Sequence, residues 1–528
     1  MKTIAKGPWL GINNRLPDFG LHVSKVGDYV REAINVDLTD KGTFQRRKAV
    51  ELVQALTGAH SLYKNLLVLG GVLYRITLPS YTQTLVKILS NDDPVSYAEF
   101  NGDIYFSNGT DSGRIAASGL VYPWALPTPA EPTVAAIAGA LYEGWYQVAV
   151  SYSNSVTGEE GGVSASHNFQ LSSPGSLRVT LPGAVTGATH INVYVSTVNG
   201  SVPLLQTTVA VGTASVDLLS LATNRREAIQ RYEDAIPAGR PFIYNGQLCT
   251  ISGSNIYYGI PYRLGYYLPA SGRIPFPDPV ATVAGNQFGI YASTAKQTHF
   301  FPGTQLGSVE AEAVRDPLPF GAVPGTEFNV PNKPLVGWMS DKGFVIADTQ
   351  GQVEAVAADA VDFVLPASGV STVLETRGYR RVVSCGYVMN LGTNAVTSYT
   401  GWDFTSTSNG YGVKADGIYR LEGDGLVENW LVDPGKINFG AENKKTLPAV
   451  YLGCSSEEPL WLRVTTPKGM VYEYQARSCS DEVEIHRVDP GRGLRENWLG
   501  LAIFSDSGTD FTLASVSFAP VASQRRIS

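Results

Sequence analysis

The segment Tyr97-Ala98-Glu99-Phe100-Asn101-Gly102-Asp103-Ile104-Tyr105-Phe106 decides the fold. Two short runs rich in strand-forming residues flank an Asn-Gly pair, whose members accept the positive φ angles of a two-residue hairpin. The same design recurs in both directions along the chain. Upstream, Leu66 to Ile76 turns at Gly70-Gly71. Downstream, Phe242-Ile243-Tyr244 and Gln247 to Ile251 flank Asn245-Gly246, followed by Asn255 to Tyr258. Phe288 to Ala292 with Gln297 to Phe301, Gly343 to Asp348 with Gln352 to Val356, and Ala415 to Leu421 continue the series more loosely. Hairpins recurring every ~40–50 residues suggest propeller blades, small sheets that bury their faces against neighbours in a ring.

Two segments break the rhythm. After Pro123, Pro127, Pro129 and Pro132, alternating runs such as Gly144 to Tyr152, Leu177 to Leu181 and Ile191 to Ser196 describe a β-sandwich. It is expected to be of immunoglobulin or fibronectin type III kind, and the lack of a disulfide framework favours the fibronectin-like version. The run Asn224 to Glu233, with Thr223 as a cap, is the best helix of the chain and is expected to lead back to the propeller. The expected organisation is an extended N-terminal arm over 1–48, first blades over 49–128, the inserted sandwich over 129–222, remaining blades over 223–435 and a β-rich C-terminal domain over 436–528. In that last domain Leu460 to Val464 pairs with Met470 to Tyr474.

Composition agrees with an all-β class. Of 528 residues 44% are hydrophobic and only 16% charged, and 55 are glycine, about 10%. Disordered chains carry fewer apolar residues and helical bundles far less glycine. The net charge of −7 argues against gripping nucleic acid through its phosphates along the whole chain. Cys249, Cys385, Cys454 and Cys479 are widely spaced and read as reduced core residues. The N-terminus lacks the apolar run of a signal peptide and no stretch is long enough for a membrane span, so a soluble product made in the cytosol is expected.

No nucleophile elbow, phosphate loop, dinucleotide fingerprint or zinc-protease motif is present. The histidines 22, 60, 167, 190, 299 and 486 stand apart, whereas a transition metal needs them clustered. The acid pairs Asp92-Asp93, Glu159-Glu160, Glu457-Glu458 and Asp481-Glu482 could supply a glycosidase acid and nucleophile. Most adjoin glycine or proline, however, and read as solvated turns. Asp506-Ser507-Gly508-Thr509-Asp510 lacks the ligand set of a calcium loop and reads as a hairpin turn. The basic clusters Arg46-Arg47-Lys48, Arg225-Arg226, Arg377 with Arg380-Arg381, and Arg525-Arg526 could meet DNA phosphate. In an acidic chain they read better as inter-subunit or structural ion pairs. The pairs Tyr257-Tyr258 and Tyr266-Tyr267 could stack a sugar, but read as strand residues with one ring buried. Catalytic, metal and cofactor residues are therefore expected to be absent.

Several segments resemble bacteriophage tail proteins of the nozzle type, also called packaged-DNA stabilisation proteins. They are Asn13 to Pro17 with Ala33 to Asp37, Gly42 and Arg46-Arg47; Pro237 to Arg240 with Tyr244 to Leu248 and Ile256 to Tyr258; Phe288 to Ala292 with Lys296 to Gly303; and Arg492 to Trp498 through Asp510 to Leu513 and on to Arg525-Arg526. The resemblance implies a six-bladed propeller without enzymatic activity, assembled as a hexameric conduit below a portal–adaptor complex in the virion tail of a short-tailed phage. Such a tube, put together in the host cytoplasm, retains double-stranded DNA and releases it through its lumen. The inserted sandwich would decorate the outside, where tail fibres or tailspikes bind. A neutral or acidic lumen suits this role, since each phosphate contact would slow ejection. Alternative readings are a tail-tip or fibre-attachment subunit, and a propeller glycan-binding protein or glycosidase.

Overall fold

A computed structural model describes residues 4–22, 26–308, 317–425, 429–440, 443–491, 493–505 and 510–522. The chain is all-β, with 54% of residues in strands and almost no helix. The hairpins read from the sequence are present in register: Phe100 faces Asp103 across Asn101-Gly102, and Tyr244 faces Gln247 across Asn245-Gly246. Both turns use positive φ at both positions, 51° and 86° in the first and 43° and 83° in the second. At Gly246 a Cβ would also lie 2.8 Å from the Tyr262 ring, so this turn needs glycine twice over.

Seven small antiparallel sheets follow one another among the described residues. They span 59–88, 96–122, 234–275, 280–302, 328–356, 371–398 and 406–423, the last completed by the much earlier strand Ala49–Ala55. The ring closes because every neighbouring pair shares a core. Leu66, Val68, Phe106 and Ile115 join the first two sheets, and Tyr105, Trp124 and Leu248 the next pair. Cys249, Ile256, Val283 and Ile290 then join the third to the fourth, and Tyr291, Trp338 and Val345 the fourth to the fifth. Met339 and Phe344 meet Val382 and Met389, Val383 and Val388 meet Phe404 and Leu421, and Leu62 and Leu67 meet Val413 and Ile418. The inner strands also touch directly, as Ser371–Thr376 touches Ser406–Ser408 and the latter touches Ala59–Tyr63. This is a β-propeller closed by a strand from the opposite end of the ring's sequence. The expected count of six becomes seven sheets because the sheet over 371–398, which turns at Arg377-Gly378 and Cys385-Gly386 and not at an Asn-Gly or Gly-Gly pair, is not among the hairpins read from the sequence.

Residues 133–218 form two sheets enclosing Tyr146, Val148, Val150, Leu177, Val179, Ile191 and Val193, with the long strand Gly144–Asn154 in the middle of one of them. The helix expected over 224–233 is absent; this stretch is an extended connector. Leu205 N–H donates to the Arg226 carbonyl at 2.9 Å and Val163 N–H to that of Gln230 at 3.0 Å. In so short a segment, pairing with a sandwich edge outweighs a weak helical preference.

The N-terminal segment is not a free arm. Ile4–Lys6 and Phe44–Arg46 pair with Phe511–Phe518. Glu32–Ile34 sits between the outer strand of the sixth sheet and Trp430–Ile437, making one nine-stranded sheet with the C-terminal body. That body is a second sandwich, and Trp430 stacks on Phe511 between its layers with centroids 3.7 Å apart. Trp461–Thr465 pairs with Val471–Gln475 as read. Because Trp430–Ile437 belongs to this body, it crosses the boundary expected at 435/436.

Candidate functional site

Three places gather polar side chains. The first lies where hairpin turns of the third to fifth sheets meet their inner strands. A cavity of about 370 Å³ there is lined by Phe242, Tyr244, Asn245, Asn286, Glu327 and Asn329, among others. A second cavity of about 390 Å³ shares Gly285, Asn286, Gln287 and Asn329 with it and continues to Asn332 and Lys333. The two form one groove with five side-chain amides. Asn245 Nδ2 donates to the carbonyls of Gln287 (3.1 Å) and Thr304 (3.0 Å), which fixes its orientation. The Glu327 carboxylate accepts from Thr282 Oγ1 and stands 3.9 Å from Arg240. Sequence reasoning saw Asn245 only as a turn residue and missed the rest. The amides fall in three separate hairpins, and only ring closure brings them together.

The second place joins sandwich to propeller. Glu160 is buried and accepts hydrogen bonds from Ser151 (2.5 Å), Asn192 (2.9 Å) and Tyr194, and pairs with Arg226 at 2.8 Å. Burial pushes its carboxyl up, but the Ser151, Tyr194 and Arg226 donors outweigh this and hold it below the usual range. Its neighbour Glu159 accepts from Tyr266 of the third sheet at 2.6 Å, and Arg263 donates to the Glu160 carbonyl at 2.6 Å and to Glu233. The expectation of a solvated turn is thus corrected here. The adjacent glycines, read as turn markers, serve close approach instead: a Cβ on Gly162 would lie 2.2 Å from the Glu233 carbonyl oxygen.

The third place is a cavity of about 210 Å³ in the C-terminal body, lined by Ser455, Ser456, Glu457, Asp481, Asp510 and Thr512. It draws together three separately read acid motifs. Arg377 reaches Asp510 at 3.2 Å and donates to the Arg46 carbonyl at 3.1 Å, so two basic motifs adjoin it. Residues 506–509 of the expected hairpin, Arg492 and Arg525-Arg526 lie outside the described residues.

The remaining candidates are internal or isolated. Arg381 is buried against Asp37 (3.1 Å) and Glu422, and Arg47 lies 4.5 Å over the Tyr399 ring. Asp92 accepts from Gly71 N–H and pairs with His60 at 3.1 Å in an exposed turn. The other histidines have separate neighbours, such as Asp28 for His22 and Glu131 for His167. Among the described residues no three His, Cys, Asp or Glu side chains are grouped to hold a metal ion. Tyr266 buries its ring, and Tyr257 meets Tyr267 edge-on at 5.8 Å. All four cysteines are free; Cys249 and Cys454 are buried, Cys479 is exposed. No helix among the described residues is long and apolar enough to cross a membrane.

No protein-family model matches the chain, and no curated protein does. Solved structures align over most of its length. An exo-β-1,3-galactanase from Phanerochaete chrysosporium covers 86% of this chain and 100% of its own, at 11% identity and a TM-score of 0.20. A family 43 arabinoxylan arabinofuranohydrolase from Bacillus subtilis covers 81% and 96%, at 9% identity and 0.17. PorZ, a surface component of the type-IX secretion system of Porphyromonas gingivalis, covers 93% and 81%, at 12% identity and 0.22. The expectation of a chain without enzymatic activity does not stand, since glycoside hydrolases are among these structures. Likeness this weak carries no hydrolase activity to this chain either.

Proposed function

We propose that the chain is a tail nozzle subunit of a short-tailed bacteriophage, which assembles with further copies into a ring-shaped conduit that retains packaged DNA and lets it leave. The observation that supports this reading best is the use made of the arginine clusters. Arg381 is spent on Asp37 and Glu422, Arg47 on Tyr399, Arg226 on Glu160 and Arg377 on Asp510. Cations committed to internal partners are not free to neutralise phosphates, and a conduit for a polyanion works best when it does not grip it. The pairs of Arg381, Arg47 and Arg377 also stiffen the joint between propeller, N-terminal strands and C-terminal body, while Arg226 fastens the connector to the inserted sandwich.

In this reading the inserted sandwich is of fibronectin type III or immunoglobulin kind and decorates the outside of the tube, where fibres or tailspikes dock. The partners are a portal–adaptor complex and other copies of the chain, six by resemblance. Native mass spectrometry of the full chain, alone and with portal–adaptor complexes, tests the reading. Rings of about six copies, or binding to the adaptor, are expected. A chain that stays monomeric at micromolar concentration and ignores the adaptor overturns it.

A further inference from the structure

We propose that the groove across the third to fifth sheets is a binding site for a neutral saccharide. The inference does not depend on the nozzle reading. Three properties of the groove select the ligand class. Its volume, about 370 Å³ continuing into about 390 Å³, falls in the range of small-molecule sites. It carries little charge: Glu327 faces Arg240 at 3.9 Å, and a single lysine, Lys333, lies at the far end. An ionic ligand would therefore find only one exposed lysine at the groove's edge to repay its desolvation.

The lining is also too polar for an apolar ligand. The amides of Asn286, Gln287, Asn329 and Asn332 each keep a donor and an acceptor side by side, and Asn245, whose Nδ2 is spent on two backbone carbonyls, offers its Oδ1. Vicinal hydroxyls present the matching pair, each hydroxyl donating once and accepting as well. Phe242, half-buried, adds ring surface for the C–H face of a pyranose, over the buried ring of Phe328. Orientation is set in advance where the amides are tied to backbone. Asn245 is held on Gln287 and Thr304, and Asn286 Nδ2 donates to the Asp348 carbonyl at 3.3 Å while its Oδ1 accepts from Phe288 N–H at 2.9 Å. Sites fixed before binding lose less entropy when a ligand arrives.

The probes are maltotriose, cellotriose and β-1,3-galactotriose, offered to the full chain at up to 10 mM in saturation-transfer NMR and titration calorimetry. At least one is expected to bind, with Asn329→Ala and Gln287→Ala each weakening it threefold or more. Both residues are exposed and sit on different sheets or turns, so a folding defect in one leaves the other informative. Asp92→Asn, far away on the first and second sheets, should leave binding unchanged. Binding by none of the three sugars, or weakening of less than threefold in the folded variants, overturns the proposal. Neither outcome bears on ring assembly, which the portal–adaptor experiment reads separately.

Discussion

Asp37 and Arg381 stand 3.1 Å apart with side chains only 2% and 3% exposed, and they bind the N-terminal segment to the sixth sheet. Tyr379 and Tyr399 donate to the same carboxylate, and Glu422 of the seventh sheet takes the other side of the guanidinium. Three separate parts of the sequence meet at this pair.

Arg381→Met leaves Asp37 and Glu422 without their buried cation. A loss of about 3–5 kcal/mol is expected, read by denaturant unfolding at pH 7. The double variant Asp37→Asn/Arg381→Met should recover part of it, because one stranded charge is removed. A double variant less stable than the single one would show that the ion pair is not the source of the effect.

Glu32 and Asp433 lie directly opposite each other where the N-terminal strand pairs with Trp430–Ile437. Burial, with Glu32 and Asp18 nearby, pushes the Asp433 carboxyl up to about 6, although Gly435 N–H donates to it at 2.7 Å. A carboxyl raised on folding adds stability below its unfolded value near 4, and that stability is lost as pH rises through about 6. Asp433→Asn should therefore stabilise the chain at pH 8 by the order of 2 kcal/mol and flatten the change between pH 4 and 7. Thermal unfolding across pH 4–8 measures this.

Glu160 has the opposite sign. Its lowered carboxyl contributes stability above about pH 4.5 that disappears as pH falls further. Glu160→Gln should cost about 1–3 kcal/mol at pH 7, since Tyr194, Ser151 and Arg226 lose a charged acceptor. It should also speed tryptic cleavage after Arg225 and Arg226 in the connector. Unchanged cleavage would mean that the connector is held without this carboxylate.

The thiols separate by burial. Burial pushes Cys249 and Cys454 up to about 12 and raises Cys385, whereas Cys479 is exposed. An aromatic disulfide reagent at pH 8 should label Cys479 quickly in the native chain and all four thiols after denaturation. Fast native labelling of two or more would contradict the burial described here.

Much of the propeller was legible because its information is local. Asn101-Gly102, Asn245-Gly246 and Gly70-Gly71 carry the turn geometry in two residues, and the flanking strands follow. What stayed hidden was pairing at long range. Nothing near Ala49–Ala55 signals a partner at Gly417–Gly423, so the strand that completes the seventh sheet was invisible and the N-terminal strands looked like an arm. The sixth sheet, whose turns are Arg377-Gly378 and Cys385-Gly386, carries no Asn-Gly or Gly-Gly pair to mark it. The ten residues from Asn224 have helical composition, yet the sandwich edge at Leu205 claims their backbone groups. The arginines were legible as ion-pair formers from overall charge, but not their partners. The groove was illegible for a similar reason: Asn245, Gln287 and Asn329 carry no spacing rule, and ring closure alone assembles them.

Closure of the ring by Ala49–Ala55 also sets a timetable for synthesis. From Ala55 to Gly417 the ribosome must add 417 − 55 = 362 residues. At about 5–20 residues per second this takes roughly 20–70 s. Until then the first sheets have unsealed edges, and the strands Ile4–Lys6 and Phe44–Arg46 wait still longer for Phe511–Phe518. A nascent chain in this state is exposed to pairing with its neighbours on a polysome, and slower translation lengthens that exposure.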